Sequence, residues 1–512
     1  MAIPSFGKFK AFLWPIHRHE YKKFIPMFFT FFLISFIYSL LRAAKDAIIV
    51  TAPSSGAETI PFIKVWVLLP MALLVAYLFT RISNKHTTER VFYMMVSFFL
   101  LFFTLFLFVL YPYRDLLHPV AFAEKLQQHL PIGLHGLVAL IRNWTFTLFY
   151  VISELWGTTI LSVLFWGFAN EVTSIPQAKR FYALFSVGAN IATIISGETI
   201  IKLSSIKFNA KLPFGQSSWD QSLFFTLLSV IGLGLVLMVL FRFLNKKVIE
   251  KETSSKEILF NATAKIKMSM RKNFSYLMKS KYLLYIALIV VCYNITINLT
   301  EVIWKNQLKQ LYPDAANFNA YMGHVFILTG ILSTATALFL TGNFLRRFSW
   351  TLNALIAPAV ILGSGLFFFL SLLLKNSAFL TPVASLFSMT PLALIVFLGS
   401  LQNCLARSSK FTLFDATKEI AFIPLDRESK IKGKAAIDGV ASRMGKSGGS
   451  VIYQALLINF STIAAASSYI AAIFFAVVVI WIFSVRLLGR QFNLLTSSKE
   501  PLPTEPEAQP VK

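Results

Sequence analysis

Twelve long apolar runs recur along this chain, and they constrain its fold more than any other feature. A helix needs about 20 mostly apolar residues to cross a bilayer, and every one of these runs is long enough. The sequence therefore predicts an all-α polytopic membrane protein with twelve transmembrane helices. The predicted spans are 24–50, 60–81, 91–112, 143–171, 181–203, 221–244, 282–304, 320–343, 352–374, 382–405, 438–460 and 466–488.

The composition excludes several other classes of protein. Hydrophobic residues make up 56% and charged residues 14% of the chain, against about 45–50% and about 25% in a soluble domain. A nucleic-acid partner is not expected despite a net charge of +25, because no polar domain of useful size carries the basic residues. Cys292 and Cys404 lie in separate apolar runs and are predicted to be buried thiols. The seven histidines lack metal-ligand spacing, so no metal site and no cofactor is expected.

Successive loops are alternately rich and poor in lysine and arginine. Residues 245–281 hold ten and residues 406–437 hold seven, whereas 51–59 and 461–465 hold none. Because basic loops stay in the cytoplasm, both termini are predicted to be cytoplasmic. Residues 1–23 are then a basic cytoplasmic segment rather than a cleavable signal. The proline-containing tail at 489–512 is predicted to be disordered.

The chain is predicted to be an internal duplication. The pattern Glu-(Val/Ile)-x-x-Ile-Pro-x-x-(Lys/Arg) occurs at 171–179 and again at 419–427, at equivalent places among the spans. A tyrosine also precedes an acid by eight residues in both span 1 and span 7. The predicted organisation is a six-helix half at 24–244, a basic linker at 245–281 and a second half at 282–488. Two six-helix halves are typical of the major facilitator architecture, in which substrate binds between the halves.

Charged residues inside the first half of this membrane protein mark a candidate site. Span 1 carries Arg42, Lys45 and Asp46 on one helical face, and Glu154 lies near the middle of span 4. Charge within a bilayer is costly and usually functional. The plainer interpretation is an internal ion pair, or side chains that reach the interface from a helix end.

The second half adds further charges. Glu301 lies near the end of span 7, and Arg443 and Lys446 lie three residues apart at the start of span 11. Gly445-Lys446-Ser447 is not a phosphate loop, because Val440 stands where that motif requires its first glycine. Cations from both halves suit a polyanion such as an organic phosphate, since arginine offers a bidentate fork and lysine a point charge. The acids would hold these cations in place or take part in exchange.

Four segments carry a resemblance to a known family. They read L-L-R-A-A-K-D (40–46), S-E-L-W-G-T-T-I-L-S-V-L-F-W-G-F-A-N-E-V-T (153–173), E-V-I-W-K-N-Q-L-K (301–309) and S-R-M-G-K-S-G-G (442–449). In these segments the chain resembles the ATP/ADP translocase (nucleotide transport protein) family of obligate intracellular bacteria and plastids. The resemblance extends from about residue 20 to about residue 490.

The resemblance implies an antiporter that exchanges external ATP for internal ADP, with or without phosphate, and so taps a host's energy. It places the family's functional charges on Lys45, Glu154, Glu301 and Lys446. Arg42, Asp46 and Arg443 are added from helical spacing, and Asn298 as an amide able to bond a purine. The predicted substrate-binding residues are Lys45, Glu154, Glu301, Lys446, Arg42, Asp46, Arg443 and Asn298. The resemblance implies no catalysis. We expect a monomer in a bacterial inner membrane, because a long plastid leader is absent.

Two alternatives stay open at this point. A family member of other nucleotide specificity, or a proton-coupled importer, would carry the same architecture, and an acid such as Glu154 would serve proton coupling. A membrane enzyme acting on phosphorylated lipid would need a nucleophile or metal-ligand cluster facing a cavity, and the long loops at 245–281 and 406–437 are basic and lack a His/Asp cluster. The sequence leaves open base selectivity, phosphate co-transport, magnesium dependence and oligomeric state.

Overall fold

The computed structural model describes residues 14–249, 280–341, 344, 347–425 and 427–497. Most of the predicted linker, the first thirteen residues and the end of the tail lie outside the described residues. Within these ranges the regular secondary structure is helical, with no strand. The all-α prediction is therefore confirmed for the described part of the chain.

Twelve long helices, α1 to α12, follow one another in the described part of the chain. Their bounds are α1 Tyr21–Thr51, α2 Thr59–Ser83, α3 Thr88–Leu110, α4 Trp144–Val172, α5 Ile175–Ser204, α6 Ser218–Lys246, α7 Lys281–Leu311, α8 Ala315–Phe339, α9 Trp350–Leu373, α10 Pro391–Ala421, α11 Ser442–Phe460 and α12 Ile463–Ser497. Eleven of them, all except α11, are long and apolar enough to cross a membrane. The predicted count of twelve spans is therefore not confirmed, because α11 carries two cations and several polar residues.

The tenth span differs from its prediction. The segment at its expected start forms a separate short helix, Leu380–Leu386, and α10 begins at Pro391 behind the capping residue Thr390. Proline is favoured at the first turn of a helix because its missing N–H has no partner there. The helix then continues to Ala421, so the loop predicted at 406–437 is wrong for its first sixteen residues. Arg407 consequently lies within a helix.

The helices pack as two equivalent sets. In the first half α1 contacts α4, α5 and α6, and in the second half α7 contacts α10, α11 and α12 in the same order. The repeated motif begins near the end of α4 at Glu171 and near the end of α10 at Glu419. The packing and the motif therefore agree with the duplicated, major-facilitator-like fold.

Two of the helix pairs that connect the halves, α5 with α8 and α2 with α11, do so differently. Helices α5 and α8 approach closely through Gly197 and Gly323, because a methyl group on Gly197 would lie 2.6 Å from the Gly323 carbonyl oxygen. Helices α2 and α11 are joined near the start of α2, where Gln454 accepts from the Trp66 indole at 3.1 Å and donates to the Pro61 carbonyl at 2.9 Å. A cavity separates their other ends.

Three helices that surround this cavity are locally widened to π-helix. The widened segments are Ile63–Leu68 in α2, Gly157–Phe165 in α4 and Lys410–Phe414 in α10. Single π-turns are frequently found at functional sites, because the extra residue re-aims the helical face. Two of these segments begin three residues after Glu154 and Arg407, which both line the cavity.

Candidate functional site

A cavity of about 610 Å³ lies between the two halves. This volume is in the range of about 300–1,000 Å³ that small-molecule sites occupy. Helices α1, α2 and α4 line it from the first half, and α7, α10 and α11 line it from the second. Seven of the eight predicted site residues line the wall: Arg42, Lys45, Glu154, Asn298, Glu301, Arg443 and Lys446. The eighth, Asp46, is buried behind Lys45.

The cavity is sealed at one end of the bundle. It extends along α2 to Thr80 and reaches Ser442 at the start of α11. At the opposite end the Lys309 ammonium donates to the Ser55 carbonyl, and Gln454 bridges α11 to α2. The mouth therefore lies where α2 ends and α11 begins.

The first charged group of the wall surrounds Lys45. The Lys45 Nζ lies 3.1 Å from Asp46 Oδ1 and 3.3 Å from Glu154 Oε2. It also lies 3.7 Å from the centroid of the Tyr150 ring, which adds a cation–π contact. The Tyr38 hydroxyl lies 3.5 Å from Glu154 Oε1. The two acids thus fix the position of one lysine at the cavity wall.

A second lysine, Lys305, ties the halves together. Its Nζ lies 2.7 Å from Asp46 Oδ2 on α1 and 2.9 Å from Glu301 Oε1 on its own helix, α7. The Lys305 side chain is only 1% exposed. Asp46 therefore pairs with Lys45 and Lys305, and its helical neighbour Arg42 is not among its partners in the described chain. The predicted shared face of Arg42 and Asp46 does not produce an ion pair.

Glu301 receives two further cations from other helices. Lys64 of α2 lies 3.6 Å from Glu301 Oε2, and Arg407 of α10 lies 3.2 Å from Glu301 Oε1. Sequence reasoning missed both residues as site candidates. The signal for Lys64 was present, because it is the one charge in the interior of predicted span 2, whose other charge, Arg81, is the last residue of that span. Arg407 was assigned to a loop because the end of α10 was placed too early.

Asn298 connects three helices at the cavity wall. Its amide nitrogen donates to the Lys446 carbonyl at 2.7 Å and lies 2.8 Å from the Ser450 hydroxyl, both on α11. Its amide oxygen accepts from Lys64 at 3.2 Å. Close contact between α7 and α11 is possible because Gly445 and Gly449 face α7 without side chains.

Three cations of the wall have no acidic partner. Within the described residues Arg42, Arg443 and Lys446 lie beyond 4.0 Å of any carboxylate oxygen. The Arg42 guanidinium lies 4.8 Å from the Phe326 ring centroid, and Lys446 is exposed to the cavity. In and directly behind the wall seven cations face three acids, Asp46, Glu154 and Glu301, while Asp438 at the mouth is paired with Lys418. The wall therefore carries an excess of positive charge, and such an arrangement favours a polyanion.

The described residues contain no cluster of histidine, cysteine, aspartate or glutamate that could hold a metal ion. Cys292 and Cys404 are both buried and unpaired, as the sequence predicts. The polar side chains that line the cavity present guanidinium, ammonium, carboxylate, amide and hydroxyl groups. These groups bind and orient an anion through charge-assisted hydrogen bonds.

Comparison with known proteins gives a consistent result. Residues 2–492 match the family model described as TLC ATP/ADP transporter. The ADP,ATP carrier protein 1 of Chlamydia trachomatis is 47% identical over 98% of this chain and 94% of its own length. The chloroplastic ADP,ATP carrier protein 1 of Arabidopsis thaliana is 42% identical over 94% of this chain and 75% of its own.

Solved structures of other transporters share the fold. A D-xylose–proton symporter superposes with a TM-score of 0.55 at 11% identity, covering 91% of this chain and 97% of that one. The nucleoside transporter NupG superposes with a TM-score of 0.52 at 11% identity, covering 92% and 99%. At these identities the likeness concerns the fold alone.

Proposed function

This chain belongs to the TLC ATP/ADP transporter family, and from that premise we propose that it exchanges external ATP for internal ADP by alternating access. The observation that carries the proposal is the cavity between the halves, with its three cations that lack acidic partners. ATP and ADP are polyanions of the size that such a cavity accepts. The substrate is bound, carried and released without chemical change.

The cations divide into two roles in this proposal. Arg42, Arg443 and Lys446 bind phosphate oxygens directly, because no carboxylate of the described chain competes for them. Lys45 is held in place by Asp46 and Glu154 and presents its ammonium to the same phosphates. Arginine is suited to this task because its planar fork matches two phosphate oxygens at once.

The adenine lies against the α2 wall of the cavity in this proposal. The α2 face of the cavity there is apolar, with Leu69, Ala72, Ala76 and Phe79 lining it. A flat purine buries apolar surface on such a wall, while its phosphates reach the cations of α1 and α11. Nucleotide sites in general combine an apolar lining with a few well-placed polar groups.

Obligatory exchange follows from the charge of the empty cavity. Two cations about 4 Å apart repel by about 4 kcal/mol at an effective dielectric constant of 20. Closing an empty cavity around unpaired cations removes the water that screens them, and this raises the barrier to reorientation. A bound nucleotide neutralises the cations and lowers that barrier, so the carrier returns only when it is loaded.

The cellular setting is part of the same proposal. The curated relatives include carriers of Chlamydia, so we place this chain in a bacterial inner membrane with both termini cytoplasmic. The cavity mouth then faces the cytoplasm. Import of host ATP against bacterial ADP, with or without phosphate, would supply energy to an intracellular bacterium, and one chain contains the complete site.

The test uses purified protein in liposomes loaded with ADP. External labelled ATP should enter only when ADP is inside, and a chase with external ADP should release the label. Unlabelled GTP and UTP should not compete, and a protonophore should have no effect. Uptake into empty liposomes, equal competition by other nucleotides or loss of uptake with the protonophore would instead indicate a broader or proton-coupled carrier.

A further inference from the structure

Among the described ion-paired residues of the cavity wall, Lys64 is the one whose polar partners all lie in the opposite half. It lies on α2 in the first half, within the π-helical segment Ile63–Leu68. Its polar contacts, Glu301 at 3.6 Å and Asn298 at 3.2 Å, both belong to α7 in the second half. The Lys64 side chain is 19% exposed and lines the cavity, so a bound substrate can reach it.

Resting on the exchange proposed above, we propose that Lys64 is a further phosphate-binding residue, and that it couples substrate binding to reorientation. In the empty carrier its ammonium is bound by Glu301 and Asn298. In the loaded carrier a phosphate oxygen replaces Glu301, and Lys64 is free to move with the first half. Without a substrate, separation of the halves leaves Lys64 without a partner.

A neighbouring ion pair between the halves shows why Lys64 has this role. Lys305 and Asp46 also pair across the halves, at 2.7 Å. When that pair separates, Lys305 keeps Glu301 on its own helix and Asp46 keeps Lys45 on its own helix. Neither group is left unpaired. Among the described residues Lys64 has no acid of its own half within 4.0 Å to take the place of Glu301.

Accessibility separates the two lysines further. Lys305 is 1% exposed and its bonds are short, so a nucleotide in the cavity cannot displace its acids. The Lys64–Glu301 contact is longer, at 3.6 Å, and faces the cavity. A phosphate accepts stronger charge-assisted bonds than a carboxylate held at that distance. Substrate therefore competes for Lys64 and leaves Lys305 unchanged.

Glu301 tolerates the loss of Lys64. After Lys64 has turned to the substrate, Glu301 retains Lys305 at 2.9 Å and Arg407 at 3.2 Å. The transfer therefore leaves no carboxylate unpaired. A ligand shifts a conformational equilibrium only by its difference in affinity for the two states. Here the difference in affinity comes from the Lys64–phosphate bond. That bond replaces the Lys64–Glu301 contact, which exists only while the two halves are closed against each other at that end.

The experiment compares Lys64→Gln, Lys64→Arg and Lys309→Gln with the unchanged protein in ADP-loaded liposomes. Lys309 is the matched control, because it also joins the halves, through the Ser55 carbonyl, but does not line the cavity. One measurement is release of labelled ADP with no external nucleotide. The other is binding of inorganic tripolyphosphate, which carries the phosphates without the base.

Lys64→Gln should weaken tripolyphosphate binding by at least about tenfold, the scale of one hydrogen bond to a charged group. It should also raise release into nucleotide-free medium severalfold. Lys64→Arg should keep release dependent on external nucleotide, because it retains the cation. Lys309→Gln should bind tripolyphosphate normally. If Lys64→Gln does not insert into the membrane, Lys64→Met, of similar length, takes its place.

Three results would overturn the proposal. Unchanged tripolyphosphate binding in Lys64→Gln would remove its role in binding phosphate. Weaker binding with release still dependent on external nucleotide would remove its role in coupling. An equal rise in release by Lys309→Gln would show that any loosened contact between the halves suffices. Failure of the unchanged protein to exchange ATP for ADP would count against the proposed function instead.

Discussion

Removal of the buried Asp46 carboxylate should destabilise the protein far more than removal of an exposed carboxylate that lies at a similar distance from its lysine partner. Asp46 is 1% exposed and lies 2.7 Å from Lys305 and 3.1 Å from Lys45. Asp46→Asn keeps the shape of the side chain and deletes the charge. Loss of one member of a buried ion pair costs about 3–5 kcal/mol, because a buried charge is left uncompensated. We expect the lower end, about 3 kcal/mol, since each lysine retains one glutamate.

The matched control is Asp415→Asn in α10. The Asp415–Lys410 distance is 2.8 Å, similar to the Asp46–Lys305 distance, but both side chains are 30% or more exposed. Pairs of that kind contribute about 0–1 kcal/mol. Asp415→Asn should therefore lower the free energy of unfolding by less than about one third as much as Asp46→Asn does.

Thermal unfolding in detergent measures the difference. Cys292 and Cys404 are both buried and unpaired, so a thiol-reactive fluorophore labels them only as the protein unfolds. The unfolding midpoint of Asp46→Asn should fall by several degrees, and that of Asp415→Asn should stay close to the unchanged protein. The double variant Asp46→Asn/Lys305→Met should recover part of the loss, because it also removes one of the two cations. Equal midpoints for the two single variants would refute the reasoning that burial decides the cost.

Three further predictions follow from the cavity, the helix contacts and one histidine. Arg42→Gln and Lys446→Gln should each weaken ADP binding by at least about tenfold, measured by equilibrium titration, while the unfolding midpoint without nucleotide should not fall. Gly197→Ala should lower the unfolding midpoint, because the new methyl group would lie 2.6 Å from a backbone oxygen of α8; Gly232→Ala, where nothing lies within 4 Å, should not lower it. Burial lowers the pKa of His118, so the unfolded chain binds the proton more readily, and stability should fall as the pH drops below about 6.5, the ordinary value for histidine. His118→Gln should reduce this acid sensitivity in the same unfolding assay, and an unchanged acid response would contradict it.

The sequence alone determined the class of protein and the residue types of its site. A long apolar run that crosses a bilayer must satisfy its own backbone hydrogen bonds, as a helix does. The spans could therefore be predicted from local sequence, with little dependence on the rest of the molecule. A charge within such a run is costly and usually functional, so the sequence alone identified Lys45, Glu154 and Glu301 as site candidates. The repeated motif at Glu171 and Glu419 similarly indicated the duplication before any packing was visible.

Only the tertiary structure decided which charges meet. Asp46 faces Lys305 from the other half rather than Arg42 one turn away, and helical spacing carries no information about a partner 259 residues distant. The end of α10 was misplaced because a cation near a span end looks like loop sequence, whereas Arg407 is paired inside the bundle with Glu301. Burial and ion pairing across the halves depend on how twelve helices pack, and that arrangement is a property of the whole chain.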